Sequence, residues 1–339
     1  MPLSRDALTT PRTTRRTVSR PRTFAIATMT RRPHKFAEWL TYYRELGAAH
    51  IFLCIEDSPD ADALAAAHGP DFVSVLQAGA TEHNPFDTVI DRQIAHVNRA
   101  LAAAEARGIE WLFHVDDDEL LHFFRPWEEI VAAVPEQAKC MVFTNVEGVP
   151  HGPTADFTTI SRFMVSDDYY LAYVNGKGAG RVGVTKALGS HRFTGKHAAH
   201  GRAQPRHEKH LVPLSDAAVL HFESCPYERW RDKFGHYAKL QCKVATIPFP
   251  FYQRSIQACR SAAKHEDGER RLRAFWKRAK QDYYARGSKH IAEIPHLALV
   301  EPIASRRAST RKRKLPPQAP APAVPAAPVL GASATPRVI

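Results

Sequence analysis

No stretch of the sequence approaches the roughly 20 consecutive apolar residues that a membrane span requires. The N-terminus carries arginines and threonines without an apolar segment behind them, which argues against a secretory signal. The five cysteines (Cys54, Cys140, Cys225, Cys242 and Cys259) form no C-x-x-C pair. An odd number at wide spacing excludes a disulfide framework or a zinc knuckle and points to reduced thiols in a cytoplasmic chain. No internal repeat is present, and from Leu315 to Ile339 seven of 25 residues are proline with much alanine, too little apolar bulk to form a core.

What looks plentiful is positive charge, +12 over 339 residues, but its placement deflates it. Residues 1–22 hold six arginines and one aspartate, and residues 286–339 hold nine Lys or Arg and two glutamates, so the body between them is neutral. A folded basic face for specific nucleic-acid binding is therefore not expected. Basic tails, including the run RKRK at 311–314, suit loose contact with an anionic membrane surface. The expected division is a disordered segment 1–22, a folded domain 23–285 and a disordered tail 286–339.

Within the body, apolar runs of strand length alternate with segments of helical spacing. TFAIATM (23–29), HIFLCI (50–55), FVSVLQ (72–77) and WLFHV (111–115) read as strands. Phe36, Trp39, Leu40, Tyr43 and Leu46 line one helix, with Gly47 as its stop, and Ile90, Ile94, Val97, Leu101 and Ala104 line another before Gly108. Strand and helix in alternation predict an α/β fold with a mostly parallel sheet and helices on both faces. Ligands of such sheets bind beyond the carboxyl ends of the strands, where EDSPD (56–60) and DDDE (116–119) both fall. The second half, residues 126–285, reads as an irregular α+β region. Its glycine loops (151–183) are followed by histidines at 191, 197, 200, 207 and 210 and a helix near 226–240.

Four adjacent carboxylates after a buried strand repel one another unless something positive sits among them. Hard divalent cations, Mn²⁺ or Mg²⁺, take such oxygen ligands together with substrate phosphates. In an extended segment Asp116 and Asp118 would share a face and Asp117 would point elsewhere. The bland alternative is an acidic loop capping the next helix.

The order of these motifs resembles the family 2-like and family 92-like glycosyltransferases of the GT-A (Rossmann-like) fold. The resemblance covers roughly residues 24–240 and rests on Glu38, Trp39, Tyr42, Gly47, Ser58, Asp60 and the W-x-x-x-x-D-x-D-E-L run from Trp111 through Leu120. YVNGKGAGRVG (173–183) and VLHFESCPYERWRDKFGHYA (219–238) resemble later elements of the family. The chain departs from the pattern where Thr30, Arg31 and Arg32 replace Lys-Asn-Glu, and where the second strand ends in Ile-Glu-Asp-Ser-Pro-Asp.

The resemblance implies a transferase, inverting in mechanism, that moves a sugar from a nucleotide-sugar donor to a glycan, polysaccharide or lipid-linked acceptor. Residues 23–125 would hold the donor and 126–285 the acceptor. It implies metal ligation by Asp116, Asp118 and His221, and donor contacts from Glu56, Asp57, Arg92, Asp116, Asp117 and Lys177, with Arg181 as a weaker cation. Gln93 joins Arg92 as a candidate for the base or pyrophosphate, and Asp87 or Asp91 suits a helix cap. Glu147, Asp167, Asp168 and Glu223 are unranked candidates for a general base. Two other readings are a nucleic-acid or anionic-surface binder acting through its tails, and a metal-dependent phosphoester hydrolase.

Overall fold

The computed structural model describes residues 22–79, 89–190, 192–197, 208–240 and 249–297. The tails expected at 1–21 and 298–339, Asp87, and the histidines 191, 200 and 207 lie outside these residues. The chain opens with β1 (Phe24–Arg31), α1 (Phe36–Glu45), β2 (His50–Glu56), α2 (Pro59–Ala67), β3 (Val73–Gly79), α3 (Val89–Ala106) and β4 (Trp111–His114). The four strands run parallel in the order β4-β1-β2-β3. Gly47 (φ +93°) and Gly108 (φ +69°) take the left-handed conformation just past α1 and α3, as their stop positions require.

Both faces of the sheet are covered at β4, β1 and β2, whose inner residues are largely apolar, while β3 at the edge is part-exposed. Phe24 and Ile26 of β1 face α1 through Trp39, Leu40 and Tyr43, whereas Ala25 and Ala27 face α3 through Val97, Ala100 and Ala104. The small alanines let α3 approach closely.

The chain continues through β5 (Glu119–Phe123), α4 (Trp127–Ala132), β6 (Cys140–Phe143), β7 (Asn145–Gly148), β8 (Arg162–Met164), β9 (Lys177–Arg181), β10 (Thr185–Gly189), β11 (Arg192–Gly195), β12 (Lys209–Val212) and β13 (Ala217–His221). β9 slots antiparallel between β4 and β6, and β12 closes the edge, giving a seven-stranded sheet β12-β6-β9-β4-β1-β2-β3. The fold is thus α/β and Rossmann-like, with four of six neighbouring strand pairs parallel. Through β9, β6 and β12, strands from residues 126–285 extend the sheet begun by residues 23–125.

A second sheet, β14-β8-β7-β13-β5, joins the same core. Helices α5 (Tyr227–Lys239), α6 (Pro250–Ala262), α7 (Gly268–Trp276) and α8 (Asp282–Ala285) pack around Trp230, Phe234, Phe251, Trp276 and Tyr284. The folded body does not stop at 285. β14 (Ile291–Glu293) pairs with β8, and His296 is buried against Phe163 and Phe222. A basic, loop-like sequence concealed that strand, because its three residues acquire order only from a partner far away in sequence.

Candidate active site at the acidic turn

The segment after β4 is a turn, not an extended run. The Glu119 amide donates to the Asp116 carbonyl at 3.1 Å, and this three-residue closure rotates the carboxylates apart. Asp116 and Asp118 therefore do not share a face. Asp116 turns toward β9, where Lys177 donates to it at 2.6 Å, while Gln93 of α3 donates from the other side at 3.2 Å. Lys177 also pairs with Glu119 at 3.1 Å, and Tyr173 donates to the other Glu119 oxygen. Lys177 is fully buried; burial would lower its pKa, but Asp116 and Glu119 outweigh that and raise it. Its position is set by Asn145, whose side chain accepts from the Gly176 amide at 3.1 Å and donates to the Tyr173 carbonyl at 3.0 Å. Gly176 has φ +66°, and a Cβ there would collide with the Phe143 carbonyl, which explains the N-G-K sequence locally.

Asp117 is the buried member of the turn. Thr30 donates to it at 2.5 Å, and Arg229 of α5 donates to its other oxygen. The same guanidinium nitrogen lies 3.8 Å from Asp118. Burial acts against the Arg229 charge, yet Asp117 and Asp118 outweigh it and hold the pKa above the ordinary arginine range.

Asp118 turns the opposite way from Asp116, toward the end of β13. Its carbonyl accepts the Phe222 amide at 2.9 Å, which brings His221 and Glu223 alongside. One ligand atom from each of Asp118, His221 and Glu223 lies within 4.8 Å of the others, and no other such group occurs among the described residues. Glu223 accepts from Lys233 at 3.1 Å, from Tyr252 at 2.7 Å and from Ser224, while Lys280 donates to its carbonyl. Burial would raise the Glu223 pKa, but Lys233, His221 and Lys280 hold it well below the usual carboxylate range. His221 has Glu147 at 3.7 Å from Nδ1 and Glu223 at 3.6 Å from Nε2. Burial presses its pKa down, and Glu147, Asp118, Glu223 and Glu119 overcome this and lift it to about 9.

Among the described residues, the carboxylates of Asp116, Asp117, Asp118, Glu119, Glu147 and Glu223 lie among Lys177, Arg229, Lys233 and Lys280. Burial and the neighbouring carboxylates raise the pKa of Asp117 and of Glu119. Crowded acids of this kind are eased by a proton on His221 or by a divalent cation. The oxygen and imidazole donors at Asp118, His221 and Glu223 suit Mn²⁺ or Mg²⁺.

The remaining expected residues are spread along the same rim or away from it. Glu56 is held bidentately by Arg92 at 2.7 and 3.2 Å, so these two candidates bind each other. Asp57, itself at φ +47°, accepts from Arg31 at 3.0 Å and Arg32 at 2.8 Å. Beside them a cleft of about 660 Å³ is lined by Arg32, Lys35, Phe36, Asp57, Ser58 and Leu64. Arg181 sits at the opposite edge of the sheet, 3.3 Å from Glu110 and over the Trp111 ring, because antiparallel β9 sends its two ends in opposite directions. Asp167 and Asp168 are exposed on a short turn of helix. His197 and His210 join no metal-competent group among the described residues.

Arg229 is the residue the sequence reading missed. Its signal was present, since Arg229 and Lys233 stand four apart on α5 and so share a helix face.

No family model matches the chain. It is similar to two glycosyltransferase-like proteins of Arabidopsis thaliana. One is 27% identical over 182 residues, covering 46% of this chain and 33% of the relative. The other is 26% identical over 179 residues, covering 45% of this chain and 37% of the relative. The chain thus spans about a third of the length of these curated relatives. Among solved structures, 4-diphosphocytidyl-2C-methyl-D-erythritol synthase is 12% identical with a TM-score of 0.27, over 49% of this chain and 78% of that one. HddC from Yersinia pseudotuberculosis, complexed with GMP-PN, is 9% identical with a TM-score of 0.24, over 47% of this chain and 73% of that one.

Proposed function

We propose that the protein is a metal-dependent glycosyltransferase that takes a sugar from a nucleotide-sugar donor. The observation that carries this reading is the convergence of Asp118, His221 and Glu223, with a ligand atom of each within 4.8 Å of the others, at the rim where a parallel sheet receives ligands. The likeness to glycosyltransferase-like proteins supports the same class of chemistry.

In this reading Asp118, His221 and Glu223 hold Mn²⁺ or Mg²⁺, with Asp116 one turn away at the donor side. The bound ion would supply Lewis-acid neutralisation of charge on the departing nucleoside diphosphate. Lys177 pairs with Asp116 and Glu119 and fixes them, so it braces the turn and does not itself reach for the diphosphate. Arg229 holds Asp117 and Asp118 in register from α5. The cleft between Arg32 and Ser58 offers arginine, lysine and hydroxyl donors for the nucleotide end of the donor. A glycan or lipid-linked group is the expected acceptor, and Asp167 and Asp168, being exposed, remain candidates for its base whereas Glu147 is sealed off. No helix among the described residues is long and apolar enough to cross a membrane, so contact with one would be peripheral.

The test is thermal stabilisation of the full chain by a panel of nucleotide sugars, with and without Mn²⁺, repeated on Asp118→Asn. A shift with one donor that needs Mn²⁺ and vanishes in the variant is expected. Absence of any donor or Mn²⁺ shift in the native protein would end the transferase assignment.

A further inference from the structure

Glu147 differs from every other carboxylate of the cluster. It is fully buried on β7, and no lysine or arginine pairs with it among the described residues. Its Oε2 accepts from the Leu171 amide at 2.8 Å and the Tyr284 hydroxyl at 2.6 Å, and its Oε1 accepts from the Ala172 amide at 3.1 Å. Those three donors fix the carboxylate in one orientation but carry no formal charge. The cationic partner in reach is the His221 ring, whose Nδ1, buried and without a hydrogen-bond partner among the described residues, faces Oε1 at 3.7 Å, an ion-pair separation.

We infer that Glu147 is the positioning residue for His221: it captures the Nδ1 side of the imidazole and thereby turns Nε2 toward Asp118 and Glu223. The inference rests on the metal reading above and adds a residue to it. A buried carboxylate on the far nitrogen fixes both the tautomer and the tilt of a metal-binding histidine, and losing such a partner typically lowers metal affinity about 10- to 100-fold. The arrangement has a second consequence. Tyr284 belongs to α8, so the C-terminal helices hold the carboxylate that holds the histidine.

The experiment is a double-mutant cycle on the full chain with Glu147→Gln, His221→Ala and the pair, titrated with Mn²⁺ by calorimetry and melted without metal. Glu147→Gln is expected to weaken Mn²⁺ binding about 10- to 100-fold in the native background and to do nothing further once His221 is alanine. Equal losses in both backgrounds, or no loss, would overturn the inference. If the native protein takes up no Mn²⁺, the metal reading fails, and the melts alone decide the positioning: non-additive stabilities uphold it and additive ones overturn it. Should Glu147→Gln not fold, Tyr284→Phe removes one of the two donors to Oε2 and takes its place in the cycle. A several-fold loss confined to the background with His221 is then expected, and an unchanged affinity counts against the idea.

Discussion

The two flanks of the acidic turn are built from the same residue types and behave differently. On the Asp116 flank a buried lysine stands between two carboxylates, and the charges are matched by groups the chain itself supplies. On the Asp118 flank Arg229, Lys233 and Lys280 are joined by His221, whose proton can leave. A titratable ring among its cations gives that flank room for a ligand of the same sign. The two buried histidines nearby make the same point. His114 of β4 sits beside Lys177, and burial together with that lysine depresses its pKa to about 3, whereas carboxylates raise His221 to about 9.

The sharpest way to break the comparison is Lys177→Met. It strands the part-exposed Asp116 and the fully buried Glu119 without that cation, and the cost should be about 3–5 kcal/mol, read by denaturant unfolding. A smaller loss would show that water already reaches the Asp116 flank.

Acidity and alkalinity should then separate the flanks. His221 is protonated more readily in the folded chain than in the unfolded one. It therefore contributes stability below its ordinary pKa of about 6.5, and that contribution, on the order of 3 kcal/mol, fades as the pH rises toward 9. For His114 the sign reverses. Stability is intact above about 6.5 and falls as the pH drops toward 3, because the unfolded chain takes up a proton that the folded one refuses. Unfolding free energy against pH should peak near the ordinary histidine pKa, and His221→Gln should flatten only the alkaline limb.

Next in size comes Asp118→Asn. Removing one carboxylate from a group of crowded, mutually repelling acids should leave the metal-free protein within about 1 kcal/mol of the original. It should abolish the stabilisation by Mn²⁺, about 2.7 kcal/mol at a hundred times the dissociation constant. The smallest effect belongs to Arg181→Ala at the other edge of the sheet. Its part-exposed pair with Glu110 and its stacking on Trp111 should be worth about 1 kcal/mol, with Mn²⁺ and donor binding unchanged.

Much of the fold was legible in the chain. Apolar runs bounded by Gly47 and Gly108 mark β1 to β4 and their helices because both faces of a parallel sheet must be apolar. Short strands such as β9 and β14 were not legible, since three to five residues carry no periodicity and become strands only by pairing. The site divides in the same way. Asp116 and Asp118 stand out by type and spacing and His221 only through the family resemblance, but Asp117's partner Arg229 and His221's partner Glu147 lie 112 and 74 positions away.

The sequence by itself determined that this protein would form a parallel α/β sheet and place a row of acids past a buried strand, since periodicity and composition act locally. Only the tertiary structure decided which acids pair with Lys177 and which gather at His221. That depends on electrostatics over a few ångströms, and the turn at Asp116, the register of β9 and the docking of α5 set those distances.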